Sequence, residues 1–344
     1  MDGTGDFIDN LERLSSSVWA SAALVVAVDL GLLDRLARPT DEVELVTSCG
    51  DDPRLVEDLI EVLISLGAIE REGGRLVPTA SLEMLSSPTL RRVINGKVRG
   101  DHLQTHELIA RMREGQPLRG WSTEDPVALT AQGETGGTIG LVIEALLPGL
   151  DGLAERMERP GARILDVGAG VGVISADLCR LWPEAEAVGL EPHRTSRELG
   201  RSRIAAAGLS DRIALRDERV EALGEHQAYD LAFVPQPFID PVAVAEALPR
   251  IFRALRPGGW LIVLTGDAPP GSALLRASRR FRARIWGGGL VESDRLRGEL
   301  EMAGFERIRA DGHLDSFRAF CACRPFVGSS TVGYSDDLLG AGAD

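Results

Sequence analysis

The chain has 344 residues, a net charge of −14 and an isoelectric point near 5.0; its length predicts two domains, or one large domain with an appendage. An acidic chain lacks general attraction for a nucleic-acid backbone, and its basic charge is almost wholly arginine, Lys97 being the single lysine. Met1–Asn10 is acidic and polar, unlike a secretory leader; the longest apolar run, Val18–Val28, falls well short of the ~20 residues that span a bilayer, so a soluble, cytoplasmic chain with no membrane partner is expected.

The first third reads as helical. Ser15–Ser17 can cap a helix over Val18–Leu36 that is apolar nearly all round, through Trp19, Leu24, Val25, Val28, Leu32 and Leu33. Such a helix must be covered on several sides, either within its own chain or by a second copy. A short helix is expected around Val43–Thr47. Asp51-Asp52-Pro53 then opens another, with an apolar stripe at Leu55, Leu59, Val62, Leu63 and Leu66. Ala68–Arg71 and Arg75–Pro78 flank Gly73-Gly74 as a hairpin. Helix, helix, hairpin is the order of a winged helix, but the would-be reading helix carries Asp51, Asp52, Glu57, Asp58 and Glu61 against Arg54 alone. A helix in the major groove needs positive or neutral donors, so nucleic acid is not an expected partner.

Pro88–Gly115 predicts a long amphipathic helix or a helix pair, Gln116–Gly137 a loop-rich stretch, and Thr138–Met157 a helix broken at Pro148-Gly149. From Arg163 strands and helices alternate, which implies a parallel sheet. Strands are expected at Arg163–Val167, Glu186–Leu190, Arg212–Leu215, Tyr229–Val234 and Trp260–Leu264, the last preceded by a turn at Arg256–Gly259. A closing pair follows at Phe305–Ala310 and Phe317–Cys323. Residues 328–344 are small, polar and acidic, and read as a disordered tail.

The four cysteines, Cys49, Cys179, Cys321 and Cys323, lack paired metal spacing. Cys321 and Cys323 share one face of a strand, as packing residues or as a redox pair. No metal site is expected.

Ile164–Gly172 carries the main chemical signal. An apolar strand runs into glycines that turn the chain tightly into a helix over Val173–Leu181 and let a ligand approach the backbone. The glycines Gly168, Gly170 and Gly172 fall as GxGxG, and Val173 stands where a dinucleotide fingerprint has its third glycine. Asp166, ahead of them, offers negative charge to a cationic amino-acid end rather than to a pyrophosphate. Glu191 ends the second strand, about 20 residues on, where a carboxylate can accept both ribose hydroxyls. Asp217 follows the third strand, where a side chain can meet an adenine amino group. Pro235-Gln236-Pro237-Phe238 follow the fourth, at the strand ends where ligands sit in such sheets.

Leu165–Gly172, Glu191, Asp217, Tyr229–Val234 and Ala254–Trp260 together resemble the successive motifs of class I S-adenosylmethionine (SAM)-dependent methyltransferases. Ala27–Leu36 and the hairpin at Ala68–Pro78 resemble the dimerisation domain of the small-molecule O-methyltransferases. The resemblance spans nearly all of Asp6–Pro325. It implies an α/β fold, a Rossmann-like seven-stranded sheet with its last strand pair partly antiparallel, preceded by a winged-helix dimerisation domain. The division follows as residues 1–98, a helical connector and pocket roof over 99–160, a SAM domain over 161–327, and the tail. It also implies a homodimer, SAM as cofactor, and methyl transfer to a small, aromatic or natural-product-like acceptor.

One departure matters. Plant-type members carry a His-Asp pair after the fourth strand, the histidine being the general base; that place falls at or near Ile239, beside Asp240. Without it, a hydroxyl acceptor needs another base, or the acceptor is already nucleophilic. His102 and His106, four apart on one helix face, are candidates for that base, against readings as a solvated face or a metal pair. Gln236 and Phe238 are candidate substrate contacts, and Asp240 a catalytic one. The alternative function is a SAM-binding member that performs decarboxylation, hydroxylation or a pericyclic step.

Overall fold

The computed structural model describes residues 3–84, 87–117, 123–265, 273–314 and 317–326; the tail expected over 328–344 lies outside them. α1 (Gly3–Asp29) begins earlier than the apolar run and stops where Gly31 takes a φ of +68°. That left-handed conformation is open to glycine at little cost, and the chain restarts as α2 (Leu32–Arg35). The single helix expected over Val18–Leu36 is therefore two. β1 (Thr40–Asp41) leads into α3 (Glu42–Ser48), where the Asp41 carboxylate accepts the Glu44 N–H at 2.9 Å. Asp52 likewise caps α4 (Pro53–Ser65). α4 buries Val56, Leu59, Ile60 and Leu63 and exposes Leu55 and Leu66. The expected stripe is thus rotated: two overlapping i, i+3, i+4 series share Leu59 and Leu63, and packing chooses the one with Val56 and Ile60.

β2 (Ile69–Glu72) and β3 (Arg75–Pro78) pair antiparallel across Gly73 and Gly74, both at positive φ as a two-residue hairpin turn requires. β1 joins the far side of β3, giving the order β1-β3-β2. This winged sheet closes over Leu32, Leu36, Leu45, Ile60, Leu63 and Leu76.

α5 (Ala80–Met84) precedes α6 (Pro88–Arg113), a single 26-residue helix. The stretch Gln116–Gly137 is not all loop: it holds α7 (Pro126–Glu134), capped by Asp125, which accepts the Val127 N–H at 2.9 Å. α6 crosses α7 closely, since a Cβ on Gly96 would lie 2.6 Å from the Glu134 side chain. A 3-10 turn (Thr135–Thr138), α8 (Ile139–Leu146) and α9 (Leu153–Met157) follow, with the expected break at Pro148-Gly149.

The remainder is a doubly wound α/β unit. Its strands are β4 (Arg163–Val167), β5 (Glu186–Leu190), β6 (Ile213–Arg216), β7 (Tyr229–Pro235), β8 (Leu255–Thr265), β9 (Glu306–Leu314) and β10 (Phe317–Cys323). Its helices are α10 (Val173–Leu181), α11 (Arg194–Ala206), α12 (Pro241–Ala254), α13 (Ala273–Ile285) and α14 (Ser293–Met302). The order is β6-β5-β4-β7-β8-β10-β9, with β10 antiparallel to both neighbours, as the resemblance implied. β7 is buried along its whole length, so the sheet separates two apolar layers rather than facing water. Arg256–Gly259 is not a turn before β8 but an irregularity inside it, where the register jumps from Tyr229 opposite Leu255 to Leu231 opposite Trp260. Cys321 and Cys323 are buried with Cys179 in one layer, and burial pushes the Cys321 thiol up to about 12, so they pack. At the amino end of β7, buried Asp230 accepts the Arg163 N–H at 2.9 Å and pairs with Arg156.

Candidate active site

The strand order reverses direction between β4 and β7, where adjacent crossovers leave on opposite faces and a crevice opens at the carboxyl ends. A cavity of about 660 Å³ lies there. One half is formed by 167–171, 190–193 and 218–221; the other by α7 and its 3-10 turn, Pro235, Phe238–Asp240 and Trp286.

Gly168, Gly170 and Gly172 adopt φ of +68°, +56° and +73°. Nothing stands within 4 Å of where a Gly170 Cβ would be, so the loop presents bare backbone there. Its shape is held by the Gly168 and Ala169 N–H groups, which both donate to the Leu190 carbonyl, at 2.9 and 3.1 Å. Glu191 is locked against the loop: one carboxylate oxygen accepts the Gly170 N–H and the other the His193 N–H, each at 2.7 Å. Burial pushes this carboxyl up despite both N–H groups. Each oxygen retains a lone pair beyond its backbone bond, and the side chain lines the cavity.

Asp166 does not line the cavity. It is fully buried behind the glycine loop, one oxygen accepting the Ser175 hydroxyl at 2.6 Å and the other without a hydrogen bond. Burial pushes its carboxyl up to about 7. It acts on a ligand only through its field. Asp217 is also outside: its side chain is 70% exposed and accepts from Arg197 at 2.9 Å. Arg197 also donates to the Glu191 carbonyl, so this pair ties α11 to the loops after β5 and β6. The chain from Glu218 to Glu221, just beyond, forms the wall instead.

Pro235, Phe238 and Asp240 line the other half. Asp240 caps α12 by accepting the Val242 N–H at 2.9 Å. Gln236, expected to meet substrate, is fully buried beneath the cavity: its amide donates to the Gly289 carbonyl at 2.6 Å and holds the loop after α13 in place. That loop carries Trp286, which stacks on Phe238 with ring centroids 4.2 Å apart.

His102 and His106 do not reach the cavity. His102 Nε2 lies 2.9 Å from the Ser21 hydroxyl of α1, and His106 is exposed. They share a face of α6, but it looks toward α1. Gln104, about 200° round the helix from either, faces inward and bonds to Trp286 and to Gln132 of α7. Sequence reasoning missed Gln132, Thr135, His193 and Trp286, all of which line the cavity. Asp125-Pro126, a capped helix start, was the available signal for α7; Trp286 has no local signal. Ile239 lines the far half as an apolar side chain, leaving Asp240 as its ionisable group. Among the described residues no group of His, Cys, Asp and Glu is placed to hold a metal.

Residues 164–259 match the family model described as a methyltransferase domain. The chain is 36% identical over 128 residues to a protein-L-isoaspartate O-methyltransferase of Methylorubrum extorquens (strain PA1), covering 37% of this chain and 51% of that protein; it thus spans about half the length of that curated relative. Among solved structures, an O-methyltransferase family protein from Burkholderia thailandensis superposes with a TM-score of 0.63 at 20% identity, over 93% of this chain and 98% of the other. Human N-acetylserotonin methyltransferase in complex with SAM gives 0.65 at 17% identity, over 94% and 100%. These likenesses show the fold over more than nine-tenths of the chain.

Proposed function

We propose that this chain transfers a methyl group from SAM to a small, planar acceptor. The observation that carries the reading is the left-handed glycine loop with Glu191 clamped across it by the Gly170 and His193 N–H groups. The residues fit the cofactor. Open space before Gly170 admits a ligand against the backbone, Glu191 is oriented to accept two vicinal hydroxyls, and a cation bound at the loop would favour the ionised form of Asp166 buried behind it. The matched methyltransferase-domain stretch contains all three, and the human neighbour's structure is of a SAM complex. When bound, SAM supplies a methyl group activated by its sulfonium.

The chain's own work is then positioning. The stacked Phe238–Trp286 wall and α7 hold the acceptor in line and exclude water, and a fixed approach removes much of the entropic barrier. Asp240, the ionisable side chain lining this half, is already engaged in capping α12. An acceptor that is already nucleophilic, such as an amine, an enolate or an acidic phenol, fits this half best. The scarcity of bases there also favours a second reading, in which bound SAM serves a non-methylating reaction.

We further read the chain as a cytoplasmic homodimer. α1 exposes Phe7, Val18 and Trp19, the last at 75%. Phe7–Asp29 is long and apolar enough, by length and composition, to cross a membrane, which the apolar run alone did not suggest. Asp9, Glu12 and Arg13 within it favour a protein cover instead.

Calorimetry and labelled SAM test the function. SAM and its demethylated product should both bind, and Glu191→Ala should weaken both by about 1–3 kcal/mol, the range for hydrogen bonds to a charged group. NADH binding more tightly than SAM overturns the cofactor. Label that reaches no member of an acceptor pool favours the second reading.

A further inference from the structure

The far half of the cavity contains a chain of side-chain amides whose polarity is fixed from one end. The Trp286 indole N–H donates to Gln104 Oε1 at 2.8 Å. Indole nitrogen can only donate, so the Gln104 amide must turn its oxygen to Trp286 and its nitrogen away. That nitrogen donates to Gln132 Oε1 at 2.5 Å. Gln132 is thereby oriented in turn, and its Nε2 donates to the Thr135 hydroxyl oxygen at 3.1 Å. The Thr135 hydroxyl hydrogen is spent on the Gln132 carbonyl at 2.6 Å. This line leaves over one N–H on Gln104 and one on Gln132, and of the two residues only Gln132 lines the cavity.

Gln132 and Thr135 line the cavity, as do Phe238 and Trp286. Trp286 is held from both ends: its ring stacks on Phe238 at 4.2 Å and 18°, and the Arg282 guanidinium lies 4.8 Å from its centroid, itself paired with Asp101 of α6 at 3.2 Å. A flat apolar wall therefore stands beside a single fixed N–H donor, one amide away from it. A wall of this shape takes a planar ring, because offset stacking rewards flatness. A half-buried N–H left without a partner is costly, so the ring should bring an acceptor to it.

We infer that Gln132 is a specificity-determining residue that donates a hydrogen bond to a carbonyl-type oxygen on a planar, conjugated acceptor, and that Gln104 is the positioning residue that makes Gln132 a donor. The substrate class is thus an aryl ketone, quinone or lactam that also carries the hydroxyl or enol to be methylated, rather than a plain phenol or amine. This rests on the proposed methyl-transfer reading and narrows its acceptor. A carbonyl conjugated to the reacting group also acidifies a hydroxyl or enol, which suits a site whose ionisable side chain is a helix-capping aspartate.

The probes are 9-fluorenone and fluorene, planar tricycles of equal size that differ by the carbonyl, measured by equilibrium dialysis against the full chain with and without S-adenosylhomocysteine. The wild type should bind fluorenone about five- to tenfold more tightly than fluorene, the effect of one neutral hydrogen bond. Gln132→Leu should lower fluorenone affinity to that of fluorene and leave fluorene unchanged. Gln104→Leu, which removes no atom from the cavity wall, should also shrink the preference, because Gln132 is then free to turn over. A purely structural role for Gln104 predicts equal loss for both probes. Gln132→Asn, which keeps an amide but withdraws it, replaces the leucine variant if that fails to fold. Equal binding of the two probes, binding of neither, or a preference that survives at Gln132→Leu overturns the inference. Failure of S-adenosylhomocysteine itself to bind overturns the methyl-transfer reading and leaves the probe preference separately measurable.

Discussion

Asp166 and Glu191 are both acidic residues at strand ends, yet they hold different posts. Glu191 is clamped by two N–H groups at the cavity edge, while Asp166 is sealed behind the loop with one oxygen unbonded. The sequence made both legible as residues of the loop region, because a strand's alternation gives the face. It does not give the side-chain rotamer, so it could not separate Asp166, Asp217 and Gln236 from the true cavity wall. The burial of Asp166 has a thermodynamic sign. Its folded pKa is raised, from 3.8 to about 7, so between those values the folded state holds a proton that the unfolded state has released. Stability should therefore fall as pH rises from about 4 through 7, by up to about 1.4 kcal/mol per pH unit for one such proton. Urea melts of the ligand-free chain between pH 5 and 8 should show that decline, and Asp166→Asn should flatten it. His102 and His106 were legible as a pair on one helix face, but helical spacing does not say which neighbour the face meets. His106→Ala and His102→Ala should leave single-turnover methyl transfer within a few-fold of wild type, far from the 10²–10⁴-fold typical of a lost general base. His102→Ala should cost about 1 kcal/mol of stability through its Ser21 bond.

At the scale of elements, α7 is the piece that composition hid. Its glycines read as loop, but Gly133 is there because the helix lies directly on the glycine loop: a Cβ at Gly133 would overlap the Val171 side chain. Gly136 meets Ile174 of α10 in the same way, at 3.1 Å. Close approach of two backbones thus looks, in sequence, the same as flexibility. Glu134 of α7 pairs with Arg92 of α6 and with Arg203 of α11, so the roof is tied to the sheet domain by charge as well as by contact. Gly133→Ala should lower stability by about 1–3 kcal/mol, the usual cost of overpacking, and weaken S-adenosylhomocysteine binding with it. Adding Val171→Ala should restore much of both. Thermal melts and calorimetry on the two single variants and the double complete the cycle. A double variant no better than Gly133→Ala would mean that α7 and the loop are not in register as described. The parallel strands β4, β5, β6 and β7, by contrast, were legible to within a residue, because a sheet buried on both faces leaves continuous apolar runs bounded by turns, whereas β8 begins five residues before the expected Trp260 and β9 runs four beyond the expected Ala310.

For the whole molecule, the alternation after Arg163 was enough to read a parallel sheet with a ligand at its switch point, and the winged order of the first domain was equally plain. What lay outside the sequence was how α6 joins the two. That helix touches α1 on one face, through His102–Ser21 and Arg99–Asp29 at 2.9 and 2.5 Å. On the other it touches the cavity wall, through Gln104 to Trp286 and Asp101 to Arg282. α1 presents Phe7, Ile8, Leu11, Leu14, Val18 and Trp19 to solvent, a stripe that a second copy would cover. Sedimentation should give a dimer at micromolar concentration, and Trp19→Glu should shift it toward monomer.

If α1 is the seam between copies, α6 is a lever with one arm at the seam and the other at the stacked wall. The acceptor's affinity then becomes a function of how much protein is in the tube. Diluting the enzyme below its dimer dissociation constant, or introducing Trp19→Glu, should raise the acceptor KM while leaving cofactor affinity where it was, because the glycine loop and Glu191 have no part in that lever. Association of the chain with itself and selection of its acceptor would be two readings of one free energy.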